Sequence, residues 1–129
     1  MSSIRFIDNR FYSEHGLAAY EFVGACDGLI TDYSSVLFDY LLLDKPIGLT
    51  WQDVEAYKKV PGVVLDMECL RPCGEMLDTP EDFDRFFATV CSGDDPHAAG
   101  REELKALTNR YTDDRSTERF LAYLKERLS

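Results

Sequence analysis

Five consecutive residues, Thr31–Ser35, carry the polar groups best placed for chemistry in this chain. They overlap the end of a short, largely apolar segment, Gly28–Asp32, whose composition is typical of a buried parallel strand. A helix is predicted to begin immediately afterwards, at about Ser35. Ligands of open α/β sheets bind beyond the carboxyl ends of the strands. The pattern therefore predicts a binding site at this strand-to-helix turn.

Ser34 and Ser35 stand where the N-cap of the predicted helix belongs. Free backbone N–H groups and two hydroxyls would point outward together at such a turn, forming a phosphate cradle without any basic residue. A serine in this position also commonly does no more than cap its helix. The residues alone favour the two interpretations about equally.

Alternating strand and helix patterns surround this turn and predict an α/β fold with one parallel sheet of about four strands flanked by helices. The predicted strands are Ile4–Ile7, Gly28–Asp32, Pro46–Trp51 and Gly62–Leu65. The predicted helices cover residues 14–25, 35–43, 53–57, 79–91, 100–109 and 116–128.

Two of these helices carry further signals. Thr79 and Pro80 form a strong helix start, with a hydroxyl N-cap followed by proline at the first helical position. The last helix has an apolar stripe that includes Phe120 and Leu124, and its spacing favours packing against the core over a membrane or partner surface.

The composition excludes several classes of protein. At 129 residues the chain suits a single domain, and a formal net charge of −10 argues against nucleic acid as a partner. No apolar run is long enough to span a membrane, and the N-terminus lacks the pattern of a signal peptide. The cysteines lack a paired metal-ligand spacing, so no metal or cofactor is predicted, and reduced thiols suit a cytoplasmic protein.

The region around the serine pair resembles the signature of the CDP-glycerol glycerophosphotransferase family, which includes the teichoic-acid polyglycerol- and polyribitol-phosphate transferases. The similar segments are Thr31–Ser35, Phe38–Tyr40 and Leu43–Ile47, with a weaker match at Asp113–Arg119, where Thr117–Arg119 keep the ending of the family motif. The similarity extends over nearly the whole chain, from about residue 4 to residue 128.

This resemblance implies a Rossmann-like domain over residues 1–129, the C-terminal half of a two-domain GT-B architecture that binds CDP-glycerol or CDP-ribitol. The diphosphate would be bound by Ser34 and Ser35 and, at the start of the last helix, by Thr117 with Arg119. Asp32 would orient the turn or a donor hydroxyl, or would only bond neighbouring backbone amides. The lipid-linked acceptor would be met through the N-terminal half, with the full-length enzyme peripheral at the inner face of the membrane.

The chain departs from the family pattern where catalysis is concerned. Asp114 replaces a usual glycine, and the family's catalytic histidines lie upstream of the matched portion. His15 and His97 fall outside the family motifs, so no general base is evident and the catalytic residues stay unassigned. A standalone nucleotide- or sugar-phosphate-binding module is therefore the alternative function. A phospho-receiver domain is disfavoured because Asp8–Asn9 is a poor substitute for its acidic pair.

Lys45 and two aromatic residues flank the predicted site. Lys45 is better explained by the C-terminal dipole of the preceding helix than by ligand contact. Trp51 ends the strand Pro46–Trp51 and Tyr57 follows it, so either could pack on a base or sugar. Core or rim packing is favoured for Trp51.

Overall fold

A computed structural model describes residues 4–52, 54–57, 59 and 66–128 of the chain. The α-helices are α1 (Asn9–His15), α2 (Ala19–Ala25), α3 (Val36–Tyr40), α4 (Val54–Tyr57), α5 (Pro80–Ser92), α6 (Ala98–Thr108) and α7 (Ser116–Leu128). The strands are β1 (Leu29–Thr31), β2 (Ile47–Leu49) and β3 (Glu75–Met76), and two 3₁₀ helices cover Leu41–Leu43 and Met67–Cys73.

The three strands form one parallel sheet in the order β1-β2-β3. Thr31 pairs with Leu49, and Leu49 pairs in turn with Met76. All three residues of β2 are buried, which explains why the central strand is almost free of polar side chains. The predicted α/β class and the parallel arrangement are confirmed.

The strand predictions are only partly correct. Residues 4–8 are irregular, with Phe6 96% exposed, so the predicted strand Ile4–Ile7 is wrong. Its apolar residues gain no burial from a neighbouring strand, and burial is what favours such a segment in a sheet. Conversely, β3 is not predicted because it has only two residues and one of them is Glu75. The predicted strand Gly62–Leu65 lies outside the described residues.

The helix predicted over residues 14–25 is interrupted. Asp8 caps α1 by accepting hydrogen bonds from the backbone N–H groups of Arg10 and Phe11. Gly16 then ends α1 in the left-handed conformation, with φ of 63°. Glycine adopts this conformation without the cost that a Cβ imposes, so the chain turns and begins again as α2.

The core lies between the sheet and the helices on one side of it. Its fully buried side chains include Leu37, Tyr40, Leu41, Ile47 and Leu49. These residues come from α3, the first 3₁₀ helix and β2, the elements that connect directly to the predicted binding turn. The predicted binding turn therefore leads directly into α3, whose residues Leu37 and Tyr40 belong to the buried core.

The C-terminal helices differ in how they pack. The helix start at Thr79 and Pro80 is confirmed, and Asp82 accepts hydrogen bonds from the N–H groups of Asp78 and Thr79. By contrast, α7 has no buried residue, and its Phe120 side chain is 60% exposed. The prediction that the apolar stripe of the last helix packs in the core is wrong. Amphipathic spacing shows that a helix has an apolar face but not which surface covers it.

Candidate functional site

An open groove of about 490 Å³ lies at the carboxyl ends of β1 and β2, where the sequence predicts the binding site. Its lining among the described residues consists of Asp32 and Tyr33, which follow β1, and Thr50 and Gln52, which follow β2. Thr50 joins the two strand ends, because its backbone N–H donates a hydrogen bond of 3.0 Å to the carbonyl oxygen of Thr31.

The turn that begins at Asp32 is stabilised by its own side chain. The Oδ1 atom of Asp32 accepts a hydrogen bond of 2.8 Å from the backbone N–H of Ser34. This is the local structural role that the sequence left open for Asp32. The second carboxylate oxygen has no hydrogen-bond partner in the described part of the chain, which leaves it an unused acceptor on a residue that lines the groove.

Ser34 and Ser35 lie at the start of α3, as predicted, and both are exposed. Ser35 is the N-cap residue, yet its hydroxyl makes no capping hydrogen bond. The carbonyl oxygens of the pair accept from the N–H groups of Leu37 and Phe38. Within the residues that the structure describes, neither serine hydroxyl has a partner. The two hydroxyls are therefore available to a ligand, together with the backbone N–H groups of Ser35 and Val36, which have no hydrogen-bond partner among the described residues.

Only five residues of α3 are α-helical before the backbone tightens into the first 3₁₀ helix. A short helix sums few peptide dipoles, so the macrodipole adds less here than the sequence suggested. Individual donors from the backbone and the hydroxyls must carry most of any attraction for an anion.

Two tyrosines stack beside the groove. The ring centroids of Tyr33 and Tyr57 are 3.7 Å apart, with 25° between the ring planes. Tyr57, which the sequence placed at the edge of the site, is thus tied to the groove through Tyr33. Trp51 instead is 4% exposed and belongs to the core, as predicted. Its indole N–H is buried without a hydrogen-bond partner among the described residues, and the Arg71 guanidinium lies 5.0 Å from its ring.

Comparison with known families places this turn in context. The sequence profile described as "CDP-Glycerol:Poly(glycerophosphate) glycerophosphotransferase" matches residues 8–126. The chain belongs to this glycerophosphotransferase family. The match includes the groove, the serine pair and most of α7, so the predicted family resemblance is confirmed.

Two curated relatives, both from Bacillus spizizenii, support the assignment. The chain is similar to a teichoic acid glycerol-phosphate primase, with 32% identity over 107 residues that cover 78% of this chain and 25% of the relative. It is also similar to a teichoic acid ribitol-phosphate primase, with 31% identity over 108 residues that cover 81% and 26% of the two chains. The chain thus spans about a quarter of these relatives. No solved structure matches it.

The second part of the family motif lies at the start of α7. Thr117 is exposed, whereas the guanidinium of Arg119 bonds both carboxylate oxygens of Asp113 at 2.5 and 3.1 Å. It also lies 4.0 Å from the centre of the Tyr111 ring. Hydrogen bonds from Arg119 hold the pKa of Asp113 below its usual range. No described hydrogen bond, ion pair or ring contact joins Thr117 or Arg119 to Ser34 or Ser35, so their joint binding of a diphosphate stays a prediction.

Neither histidine is placed as a general base for the groove. His15 on α1 is exposed, and its Nδ1 lies 2.9 Å from the carbonyl oxygen of Phe11. His97 precedes α6, with Nε2 at 3.0 Å from Glu75 and Nδ1 at 3.3 Å from the carbonyl oxygen of Pro72.

Burial raises the pKa of the Cys73 thiol to about 11, which keeps it protonated and unreactive as a nucleophile.

Two negative findings concern only the described residues. No cluster of three or more metal-ligating side chains occurs among them. The same residues include no helix with the length and hydrophobicity required to cross a bilayer.

Lys45 caps a helix, although not the one that the sequence suggested. Its Nζ donates to the carbonyl oxygens of Cys26 at 2.7 Å and Gly24 at 3.3 Å, which lie at the C-terminal end of α2. The Tyr40 hydroxyl donates to the same Cys26 oxygen at 2.9 Å. Lys45 therefore connects α2 to the loop before β2, and this contact accounts for it without a ligand.

Replacing Lys45 by methionine is expected to lower the free energy of unfolding by about 1–3 kcal/mol, because a charged donor to two part-buried carbonyls is lost. Urea unfolding followed by circular dichroism measures this loss. Binding of CDP by the folded variant should remain at the wild-type level. A Lys45→Met protein of normal stability that no longer binds CDP would instead place Lys45 in the binding site.

Proposed function

We propose that this chain is the donor-binding portion of a transferase that makes teichoic acid or a related capsular polymer. Its ligand would be CDP-glycerol or CDP-ribitol, with the diphosphate at the turn of Ser34 and Ser35. The observation that carries the proposal is the pair of exposed serine hydroxyls, without partners among the described residues, beside the backbone N–H groups of Ser35 and Val36 at the carboxyl edge of the parallel sheet. Membership of the glycerophosphotransferase family supports it.

Hydrogen-bond donors at this turn have a definite task in the proposed reaction. The hydroxyl at the end of the acceptor polymer attacks the phosphorus of the alditol phosphate, and the bond from that phosphorus to the CMP oxygen breaks. Negative charge then develops on the departing CMP. Donors fixed around the diphosphate stabilise that charge, which is the main catalytic contribution available in phosphoryl transfer.

The proton of the acceptor hydroxyl needs a base that the described part of this chain does not supply. His15 and His97 are occupied by contacts away from the groove. We therefore place the base in a further half of the enzyme, which would also meet the lipid-linked acceptor at the inner face of the membrane. A GT-B pair of Rossmann-like halves is the architecture that we propose for the complete protein.

The same observation keeps a second function open, a nucleotide- or sugar-phosphate-binding module without catalysis. An assay of alditol-phosphate transfer to a lipid-linked acceptor distinguishes the two in the presence of the remainder of the enzyme. By itself the 129-residue chain is expected to show no transfer in either case.

CDP titration of the purified chain tests the binding proposal. We expect a dissociation constant on the order of 1 mM, because one half of a cleft excludes little water from the ligand. The double variant Ser34→Ala, Ser35→Ala should bind at least about tenfold more weakly, since each hydroxyl bond to a charged acceptor contributes about 1.5–3 kcal/mol.

A matched control is available on α1. The exposed hydroxyl of Ser13 donates to the carbonyl oxygen of Asn9, far along the chain from the turn, so Ser13→Ala should bind CDP like the wild type. Equal CDP affinity in the serine double variant and the wild type would show that the diphosphate binds elsewhere.

A further inference from the structure

Two side chains that line the groove, Asp32 and Thr50, differ in hydrogen-bonding character from the serine turn. The hydroxyl of Thr50 donates its single hydrogen to the carbonyl oxygen of Thr31 at 3.3 Å. With its hydrogen used in this bond, the Thr50 hydroxyl offers a ligand only the lone pairs of its oxygen, so it acts as an acceptor. The unused oxygen of the Asp32 carboxylate is also an acceptor. The two strand ends thus present acceptor atoms side by side.

The turn next to the groove has the opposite character. Ser34 and Ser35 offer hydroxyl hydrogens, and the backbone N–H groups of Ser35 and Val36 have no partner among the described residues. Asp32 and Ser35 are three residues apart, so at about 3.3–3.6 Å per residue their backbones lie within about 11 Å. A single small ligand therefore spans both regions.

The acceptors of Asp32 and Thr50 and the donors of the serine turn suit different groups of a ligand. A phosphate in the groove would face the Asp32 carboxylate and would be repelled, whereas a hydroxyl donates to such acceptors. Tyr33 adds an aromatic wall, held by its stack with Tyr57, against which the carbon skeleton of a sugar or polyol packs.

We propose that Thr50 and Asp32 bind a vicinal diol that is attached to the phosphate held by Ser34 and Ser35. Thr50 Oγ1 accepts from one hydroxyl of the diol, and the unused Asp32 oxygen accepts from the other. This inference rests on the proposed function and adds a specificity-determining residue, Thr50, to it. Two parts of the donor carry such a diol: the ribose of the nucleotide and the alditol.

NMR titration of the isotopically labelled chain tests the proposal with CDP, 2′,3′-dideoxy-CDP and CDP-glycerol as probes. Thr50→Val removes the acceptor while preserving the branched shape of the side chain. It should weaken binding of diol-bearing ligands about fivefold, the effect of one hydrogen bond of ordinary strength. The serine double variant is titrated in parallel to report on the phosphate.

Thr108→Val provides the matched control. The hydroxyl of Thr108, on α6, likewise lies within hydrogen-bond distance of a backbone carbonyl, that of Leu104 at 2.9 Å, and also of the Asn109 side-chain oxygen at 2.7 Å. This variant should bind every probe like the wild type, which separates loss of the groove acceptor from a general effect of removing a threonine hydroxyl.

The probes identify which diol is bound. If the ribose occupies the groove, dideoxy-CDP binds the wild type more weakly than CDP binds the Thr50 variant, because it loses the bonds to both Thr50 and Asp32 whereas the variant loses only the first. The variant then distinguishes the two nucleotides less strongly than the wild type does. If the alditol occupies it, Thr50→Val weakens CDP-glycerol and leaves CDP unchanged. Either result supports the diol site.

Three results would overturn it. The diol site would be refuted, and the proposed function would stand, if CDP and CDP-glycerol bound the serine double variant weakly but bound Thr50→Val with wild-type affinity. If affinity rose with added Mg²⁺ and was the same for probes with and without the diol hydroxyls, the acceptors of Asp32 and Thr50 would be assigned to a cation instead. Absence of binding to any probe would refute the proposed function and this inference with it.

Discussion

The variant Arg101→Ala is expected to lose about 3–5 kcal/mol of unfolding free energy, a large share of the roughly 5–15 kcal/mol that stabilises a typical domain. The Arg101 side chain is only 2% exposed and bonds Asp95 at 2.6 Å. It also bonds the side chain of Asp44 at 3.3 Å and its carbonyl oxygen at 3.4 Å. Asp95 is itself 10% exposed, so removing the guanidinium leaves a buried carboxylate without a counter-charge.

Urea unfolding measured by circular dichroism gives the size of this loss, with Arg10→Ala as the control. Arg10 pairs with Glu14 at the surface, with side chains 81% and 55% exposed, and such pairs contribute at most about 1 kcal/mol. The double variant Arg101→Ala, Asp95→Ala should be more stable than Arg101→Ala alone, because the unpaired charge is also removed. Equal stability of the Arg101 and Arg10 variants would contradict a buried ion pair.

The contacts of Arg101 with Asp44 also bear on the candidate site. Asp44 has φ of 51° and ends the first 3₁₀ helix, just before β2. Arg101 bonds both the side chain and the backbone of this residue, so α6 holds the turn from which β2 enters the sheet. Thr50, which follows β2, depends on that entry for its place in the groove.

Gly100→Ala is the second large effect expected, a loss of about 3 kcal/mol or more. A Cβ added at Gly100 would lie 2.0 Å from the carbonyl oxygen of Pro72, a backbone atom of the second 3₁₀ helix. Backbone cannot move aside as the end of a flexible side chain can, so α6 must separate from this helix. The separation also pulls Leu104, a buried residue of α6, from the core.

Thermal unfolding of Gly100→Ala measures this effect, and Gly24→Ala is its control. Gly24 lies in α2, where a methyl group would meet open space because no atom lies within 4 Å of its ideal Cβ position. Alanine there should raise stability by about 0.5–1 kcal/mol, because glycine is the poorer helix former. If both alanine variants unfold at the same temperature as the wild type, α6 does not pack as closely as the structure shows.

Much of the local structure is encoded in short segments. The start of α5 at Thr79 and Pro80, the two longer strands and the turn of Ser34 and Ser35 are predicted correctly because each depends on neighbouring residues. Capping, proline geometry and runs of apolar residues act over a few positions. The family resemblance comes from the same kind of local information, a motif around Thr31–Ser35.

Contacts between distant segments could not be predicted in this way. Lys45 was assigned to the helix before it, but its charge bonds carbonyls of α2 about 20 positions earlier in the chain. β3 is recognised only by its pairing with β2, since neither its length nor its composition indicates a strand. The apolar stripe of α7 shows the reverse case, a strong local pattern that the described part of the fold leaves uncovered.

The candidate site combines both kinds of information. The order of the amino acids was enough to predict that Asp32 and the serine pair form a polar turn after a strand, because a strand, an Asx turn and a helix start are all local structures. The folded chain was needed to show that Thr50 lies beside Asp32 and donates its hydroxyl hydrogen to Thr31. This difference arises because the parallel pairing of β1 with β2 brings together strand ends that lie 18 positions apart in the chain, as in the pair Thr31 and Leu49. As a result, Asp32 and Thr50 line the same groove.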